Sequence, residues 1–120
     1  MTELQHQQMV IKWSQQPSIR HKNPCLKLLF HVPNERKCSK VEGRLLKLAG
    51  VKSGVPDLVL PVARGSYHGL YIELKTPEGK PTDNQVWWLK ELNQEGYCAV
   101  ACYGWEEATK CLEWYLQLKS

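Results

Sequence analysis

Residues Gly54 to Gly79 read GVPDLVLPVARGSYHGLYIELKTPEG, two apolar runs separated by a turn rich in glycine. Short apolar runs bounded by Gly and Pro are the sequence form of a β-hairpin. Acid stands where these strands would ordinarily carry Val or Ile. Asp57 opens the first run, and Glu73 lies inside the second between Ile72 and Leu74, with Lys75 two residues on. Asp and Lys are poor strand formers and Glu is little better. A buried charge is costly unless it is paired or bound to a metal. With the turn centred on Ser66, Asp57 falls opposite Lys75 and Val59 opposite Glu73. Side chains alternate along a strand and directly paired residues share a face. Asp57, Val59, Glu73 and Lys75 then occupy one face at the open end of the hairpin. Leu58, Leu60, Ile72 and Leu74 form a uniformly apolar face that anchors the hairpin to a core.

The rest of the chain supplies partners for that hairpin. Thr2-Glu3-Leu4-Gln5 has the pattern of a capping box. It opens a helix from about Glu3 to Gln15, with Leu4, Met9, Val10 and Trp13 at spacings of one face and Pro17 as its end. CLKLLFHV, Cys25 to Val32, reads as a strand, and the polar NERKCSK that follows reads as a loop. Ser39-Lys40-Val41-Glu42 is a second capping pattern, opening a short helix to Leu48 that Gly50 stops. The hairpin strands follow, roughly Asp57 to Val62 and Gly69 to Lys75. Thr82-Asp83-Asn84-Gln85 is a third capping box, leading a helix that ends at Gly96. YCAVACY, apolar enough to be a central strand, comes next. The terminal helix turns Trp105, Ala108, Leu112 and Tyr115 or Leu116 inward.

The order α-β-(α)-β-β-α-β-α predicts an α/β fold, a mixed four-stranded sheet flanked by helices, with the strands around the third helix parallel. A chain of 120 residues is expected to form a single domain, 1–120. No apolar run approaches the ~20 residues of a membrane span. The N-terminal MTELQHQQMVIKW is too polar for a secretory signal peptide, so a cytoplasmic location and no membrane partner are expected. Five cysteines without a CxxC pair are expected to be free thiols packed as small apolar residues. The net charge of +4 permits a nucleic-acid partner without requiring one.

Two carboxylates and an amine on one small patch point to hard-cation chemistry. Mg²⁺ takes oxygen ligands in an octahedron and is usually held by one or two carboxylates. Asp57 and Glu73 supply those, and the backbone carbonyl of Leu74 is a further candidate ligand. A bound cation lowers the pKa of a water and stabilises charge on a phosphate. Lys75 is placed to orient the attacking water or neutralise the transition state. The competing reading is a surface ion pair at a solvated strand end, since D…ExK is short and common. The proline before Asp57, the apolar flanks of both motifs and the hairpin geometry favour a site.

GVKSGVPDLVL, followed by YIELKTPEGKPTDNQVWWLKELNQEGYCAVAC, resembles the VRR-NUC domain, a branch of the PD-(D/E)xK nuclease superfamily. The motif residues here are Pro56-Asp57 and Glu73-Leu74-Lys75. The resemblance extends to Glu3 in the leading helix, to HVPNERK from His31 to Lys37, and to Gln85 after the ExK strand, so it covers nearly the whole chain in order. It implies a restriction-endonuclease-like fold and DNA cleavage dependent on Mg²⁺ or Mn²⁺. It also implies, by analogy with stand-alone bacterial and phage members, a homodimer acting on branched DNA such as four-way (Holliday) junctions in a bacterial or phage-infected host cell.

The resemblance also gives weight to further residues. Glu3 becomes a metal ligand; its ordinary reading is an acid in the first turn of a helix. Gln85 becomes a catalytic residue positioning water or phosphate; as the third residue of a capping box it otherwise satisfies a backbone N–H, and one amide does not easily do both. Asn34, Arg36, Lys37 and Lys52 are DNA-phosphate candidates, against a solvated loop. His6, His21, His31 and His68 lack metal-ligand spacing and read as structural. Adjacent Trp87 and Trp88 point about 100° apart, one to the core and one to a subunit interface. A second function class is a DNA-binding module that keeps the nuclease fold without its chemistry, but the costly acids of the intact Asp57, Glu73 and Lys75 set favour the enzyme.

Overall fold

A computed structural model describes residues 1–33 and 39–120. The N-terminal helix α1 (Glu3–Gln15) opens on Thr2, whose hydroxyl accepts from Gln5 N, while the Gln5 side chain accepts from Thr2 N. Its inward face differs from the expected one. His6, Val10 and Ser14 are buried, while Leu4 is 61% exposed. Two polar residues can occupy this face because each has a partner. His6 Nδ1 accepts from Trp105 N at 3.0 Å, and Ser14 Oγ donates to Ile11 O at 2.7 Å. Pro17 ends α1 as expected and also starts a second helix, α2 (Pro17–Lys22), at the position where its missing N–H costs nothing.

The segment Cys25–Val32 is mostly not a strand. Pro24–Leu28 is a 3-10 turn, closed by Leu26 N to Asn23 O and Leu29 N to Leu26 O, and β1 is only Phe30–His31. Pro24 fixes its own φ near the helical value and suits the first position of the turn. Leu26 alone is driven into the core, leaving Leu28 and Phe30 half exposed. After it come α3 (Lys40–Leu48), capped by the Ser39 hydroxyl, then β2 (Leu58–Leu60), β3 (Leu70–Lys75), α4 (Asp83–Gln94), β4 (Cys98–Tyr103) and α5 (Trp105–Gln117).

The four strands lie in the order β1-β2-β3-β4, antiparallel for the first two pairings and parallel for β3 and β4. The fold is therefore the mixed α/β sheet flanked by helices that the element order predicts. β4 is at an edge of this sheet, not its centre. Its apolar character reflects helices: both α4 and α5 pack against it. The hairpin register is also two residues from the expected one, with Leu58 opposite Ile72 and Leu60 opposite Leu70. Pro61 has no N–H for the ladder and ends β2. The loop beyond is held elsewhere, since Tyr115 Oη donates to Val62 O at 2.6 Å. A shift of two preserves the faces, where a shift of one would invert them. Leu58, Leu60, Leu70, Ile72 and Leu74 thus enter one core with Val10, Leu26, Cys98, Cys102, Ala108, Leu112 and Tyr115. Among the described residues no helix is long and apolar enough to cross a membrane.

Candidate metal centre

Asp57 sits where three strands meet. Its backbone carbonyl accepts from Val32 N at 2.7 Å, beside β1, and its Oδ2 accepts from Leu74 N at 2.8 Å, in β3. The side chain thus takes over a ladder bond just where β2 begins, which explains an acid in an apolar strand. N–H and C=O of one strand residue point to the same side, so the Leu74 carbonyl also faces this end of the hairpin. Extending the observed register places Asp57 opposite Glu73, the residue it was expected to miss by two.

Glu73 is only 1% exposed, and neither of its oxygens has a hydrogen-bond partner among the described residues. Lys75, itself buried, places Nζ 3.5 Å from Glu73 Oε2 and 3.7 Å from Glu3 Oε2. Glu3 arrives from the first turn of α1 and is partly open to solvent. Burial, and then the neighbouring Asp57 carboxylate, push the Glu73 carboxyl up to about 8, against the opposing pull of Lys75. One carboxylate oxygen from each of Glu3, Asp57 and Glu73 lies within 4.8 Å of the others.

Three hard oxygen donors, one of them on a buried carboxylate without a hydrogen-bond partner among the described residues, fit a divalent cation such as Mg²⁺ or Mn²⁺. Without one, two acids crowd each other and one must hold its proton. With one, both can ionise. A recess of about 320 Å³ opens onto the cluster, lined by Glu3, Leu4, Gln7, His31, Val32, Pro33, Asp57 and Leu74.

Residues 1–106 match the VRR-NUC domain family, over most of the chain. The chain belongs to that family. A solved structure titled VRR_NUC domain protein is 33% identical and superposes with a TM-score of 0.86, covering 100% of this chain and 92% of that one. No curated protein matches the sequence. Membership in this family of nuclease domains brings a nuclease-type function and DNA as the class of substrate.

The geometry of this VRR-NUC chain brings Asp57, Glu73, Lys75, Glu3 and Leu74 together. Gln85 is engaged in the capping box of α4, its Oε1 accepting from Thr82 N at 2.8 Å and its own N–H donating to Thr82 Oγ1. Lys52 is exposed on the loop that leads into Asp57. Asn34, Arg36 and Lys37 lie outside the described residues. His6 is structural as expected, bonded to the start of α5. His31 lines the recess, as does Gln7. Gln7 follows Glu3 by one helical turn, which was a usable signal. His31 carried only its place before Val32-Pro33. Trp88 donates Nε1 to Ser53 O at 2.9 Å, and Trp87 is 53% exposed with its ring edge-on to Trp88.

Proposed function

We propose that this chain is a Mg²⁺- or Mn²⁺-dependent endodeoxyribonuclease that hydrolyses phosphodiester bonds in branched DNA such as four-way junctions. The observation that carries the reading is Glu73: a carboxylate driven into the fold without a hydrogen-bond partner among the described residues, beside Asp57, Glu3 and Lys75. Fold stability alone gives no reason to keep such a group. Asp57 and Glu73 would hold the cation, with Glu3 and the Leu74 carbonyl as further ligands. When bound, the cation supplies an acidified water and offsets charge on the phosphate.

The residues' own parts follow from their placement. Asp57 is fixed by its bond to Leu74 N, so its free oxygen keeps a defined direction. Glu73 is immobilised by burial. Lys75 is held between Glu73 and Glu3 and lies at hydrogen-bonding range of the space between them, where it orients water or meets negative charge that develops on the phosphate. Gln85 is proposed to steer water or phosphate with the part of its amide that the capping box leaves over. Arg36, Lys37 and Lys52, with Asn34, are proposed contacts to the DNA backbone.

A homodimer is part of the reading. One centre cuts one strand at a time, while resolving a junction takes two symmetric cuts, and a two-fold pair of chains supplies both. Exposed Trp87 and the exposed apolar residues Val41, Leu45 and Leu48 provide surface for such an interface. The test of the site is direct. Asp57→Ala and Glu73→Ala should each lower Mg²⁺-dependent junction cleavage by about 100-fold or more. DNA binding should persist or tighten, because each change removes negative charge. Cleavage by either variant at the parent rate would remove the residue from the site.

A further inference from the structure

The helix α3, Lys40–Leu48, buries none of its residues. It is nonetheless sharply two-sided. Val41, Leu45 and Leu48 repeat at one helical face and are 58, 61 and 85% exposed. Lys40, Arg44 and Lys47 repeat at the same spacing on another face, and with Gly43 they line a shallow, open groove. Glu42 is the helix's sole acid. Among the described residues none of the three cations forms an ion pair.

We propose that the groove of Lys40, Arg44 and Lys47 binds the phosphate backbone of a DNA arm that extends away from the acidic centre. This rests on the reading that the acidic centre receives DNA. Three features point to this ligand. The axial rise of an α-helix sets the three cations about 6 and 4.5 Å apart along α3, and successive phosphates on one strand advance about 3.4 Å along the duplex axis. Lys40, Arg44 and Lys47 therefore spread their charge over about 10 Å of helix, enough for their long side chains to reach more than one phosphate of a strand. Gly43 weakens the helix by about 1 kcal/mol relative to Ala, and it lies on the same surface as the three cations. The chain also leaves the recess of the acidic centre at Val32 and Pro33 and returns to it at Asp57, so α3 lies within an excursion tied to the site at both ends. A net charge of only +4 makes such local concentrations of cations decisive for binding. A basic two-sided helix also suits an anionic membrane surface, but nine residues joined at both ends to a nuclease recess favour DNA.

The experiment measures binding of a fluorescent four-way junction by anisotropy across a KCl series, using full-length Glu73→Gln protein so that DNA is not consumed. Adding Lys40→Gln, Arg44→Gln and Lys47→Gln should weaken binding and make the slope of log K against log[K⁺] shallower by about 2 to 3, at ~0.9 for each phosphate no longer neutralised. The melting temperature should not change. The charge-preserving set Lys40→Arg, Arg44→Lys and Lys47→Arg should restore the slope. An unchanged slope with the charges removed would overturn the proposal. So would loss of binding to vesicles rich in anionic lipid with an unaltered DNA slope, which would assign the face to a membrane. Cleavage by parent and Glu73→Gln is assayed separately. A parent that binds but does not cut, with the slope still dependent on α3, would sink the nuclease reading and leave this groove as a DNA site.

Discussion

Glu73 carries the main energetic conflict in the molecule. Its carboxyl is raised to about 8, first by burial and second by Asp57. In the unfolded chain the same group ionises near its ordinary value of 4.5. Between those values the folded state holds a proton the unfolded state has lost, so the metal-free protein becomes less stable as pH rises from about 4.5 to about 8. Thermal melts over this range should show that fall, Glu73→Gln should flatten it, and millimolar Mg²⁺ should reverse it by holding both acids ionised. Melting temperatures of the metal-free parent that rise through this window would contradict the placement of Glu73. Gln85 is a second residue-scale question. Its removal as Gln85→Ala should cost about 0.5–1 kcal/mol through the lost bond to Thr82 N, the Thr82 cap itself remaining. If it also serves the site, cleavage at a temperature where the variant is folded should drop about tenfold or more; cleavage at the parent rate would leave it a cap only. At this scale much of the site was legible. Asp57, Glu73 and Lys75 stood out because acid and amine interrupt apolar runs, where no folding rule puts them. His31 did not, because the recess gathers it from a segment that no local pattern connects to the hairpin, and Gln7 was marked only by standing one helical turn after Glu3.

Elements with chemical punctuation were the readable ones. Thr2, Ser39 and Thr82 each cap the helix expected of them, since a hydroxyl that satisfies an orphan N–H is a local fact. Strands were harder to read. Cys25 to Val32 has strand composition, but Pro24 commits its first half to a 3-10 turn. The hairpin register followed Pro61 and the tether of Val62 to Tyr115, a hydrogen bond between residues far apart in the sequence. The faces survived because the error was an even number of residues. The loop that delivers Asp57 is itself built on close packing. Ser53 O accepts from both Asn84 Nδ2 and Trp88 Nε1. Between Ser53 and Asp57, Gly54 adopts φ +86°, and a Cβ there would stand 2.8 Å from Asn84 Nδ2. Gly54→Ala should therefore destabilise the protein by about 1–2 kcal/mol for the left-handed backbone alone, and more where Asn84 cannot withdraw. Because Asp57 is three residues away, cleavage measured below the melting temperature should fall as well. A variant with unchanged stability and rate would show that α4 does not position this loop.

For the whole molecule, the sheet supplies rigidity and its open end gathers the acidic cluster. The α1 N-terminus, the start of β2 and the end of β3 bring Glu3, Asp57, Glu73 and Lys75 to one place from distant parts of the chain. Assembly is the next level. Light scattering at micromolar concentration should give twice the 13.9 kDa chain mass, and Trp87→Glu should shift the balance toward monomer while leaving the fold intact, because Trp87 is exposed. A chain that is monomeric free and on junction DNA, yet makes paired symmetric cuts, would overturn the two-fold mechanism. The central claim is that the carboxylates of Asp57 and Glu73 hold a catalytic divalent cation. Anomalous diffraction from a crystal soaked in Mn²⁺ tests it most directly. The account predicts a peak about 2.1–2.2 Å from oxygens of both Asp57 and Glu73, absent from Glu73→Ala. A saturated soak of an active protein that shows no peak between them would contradict it.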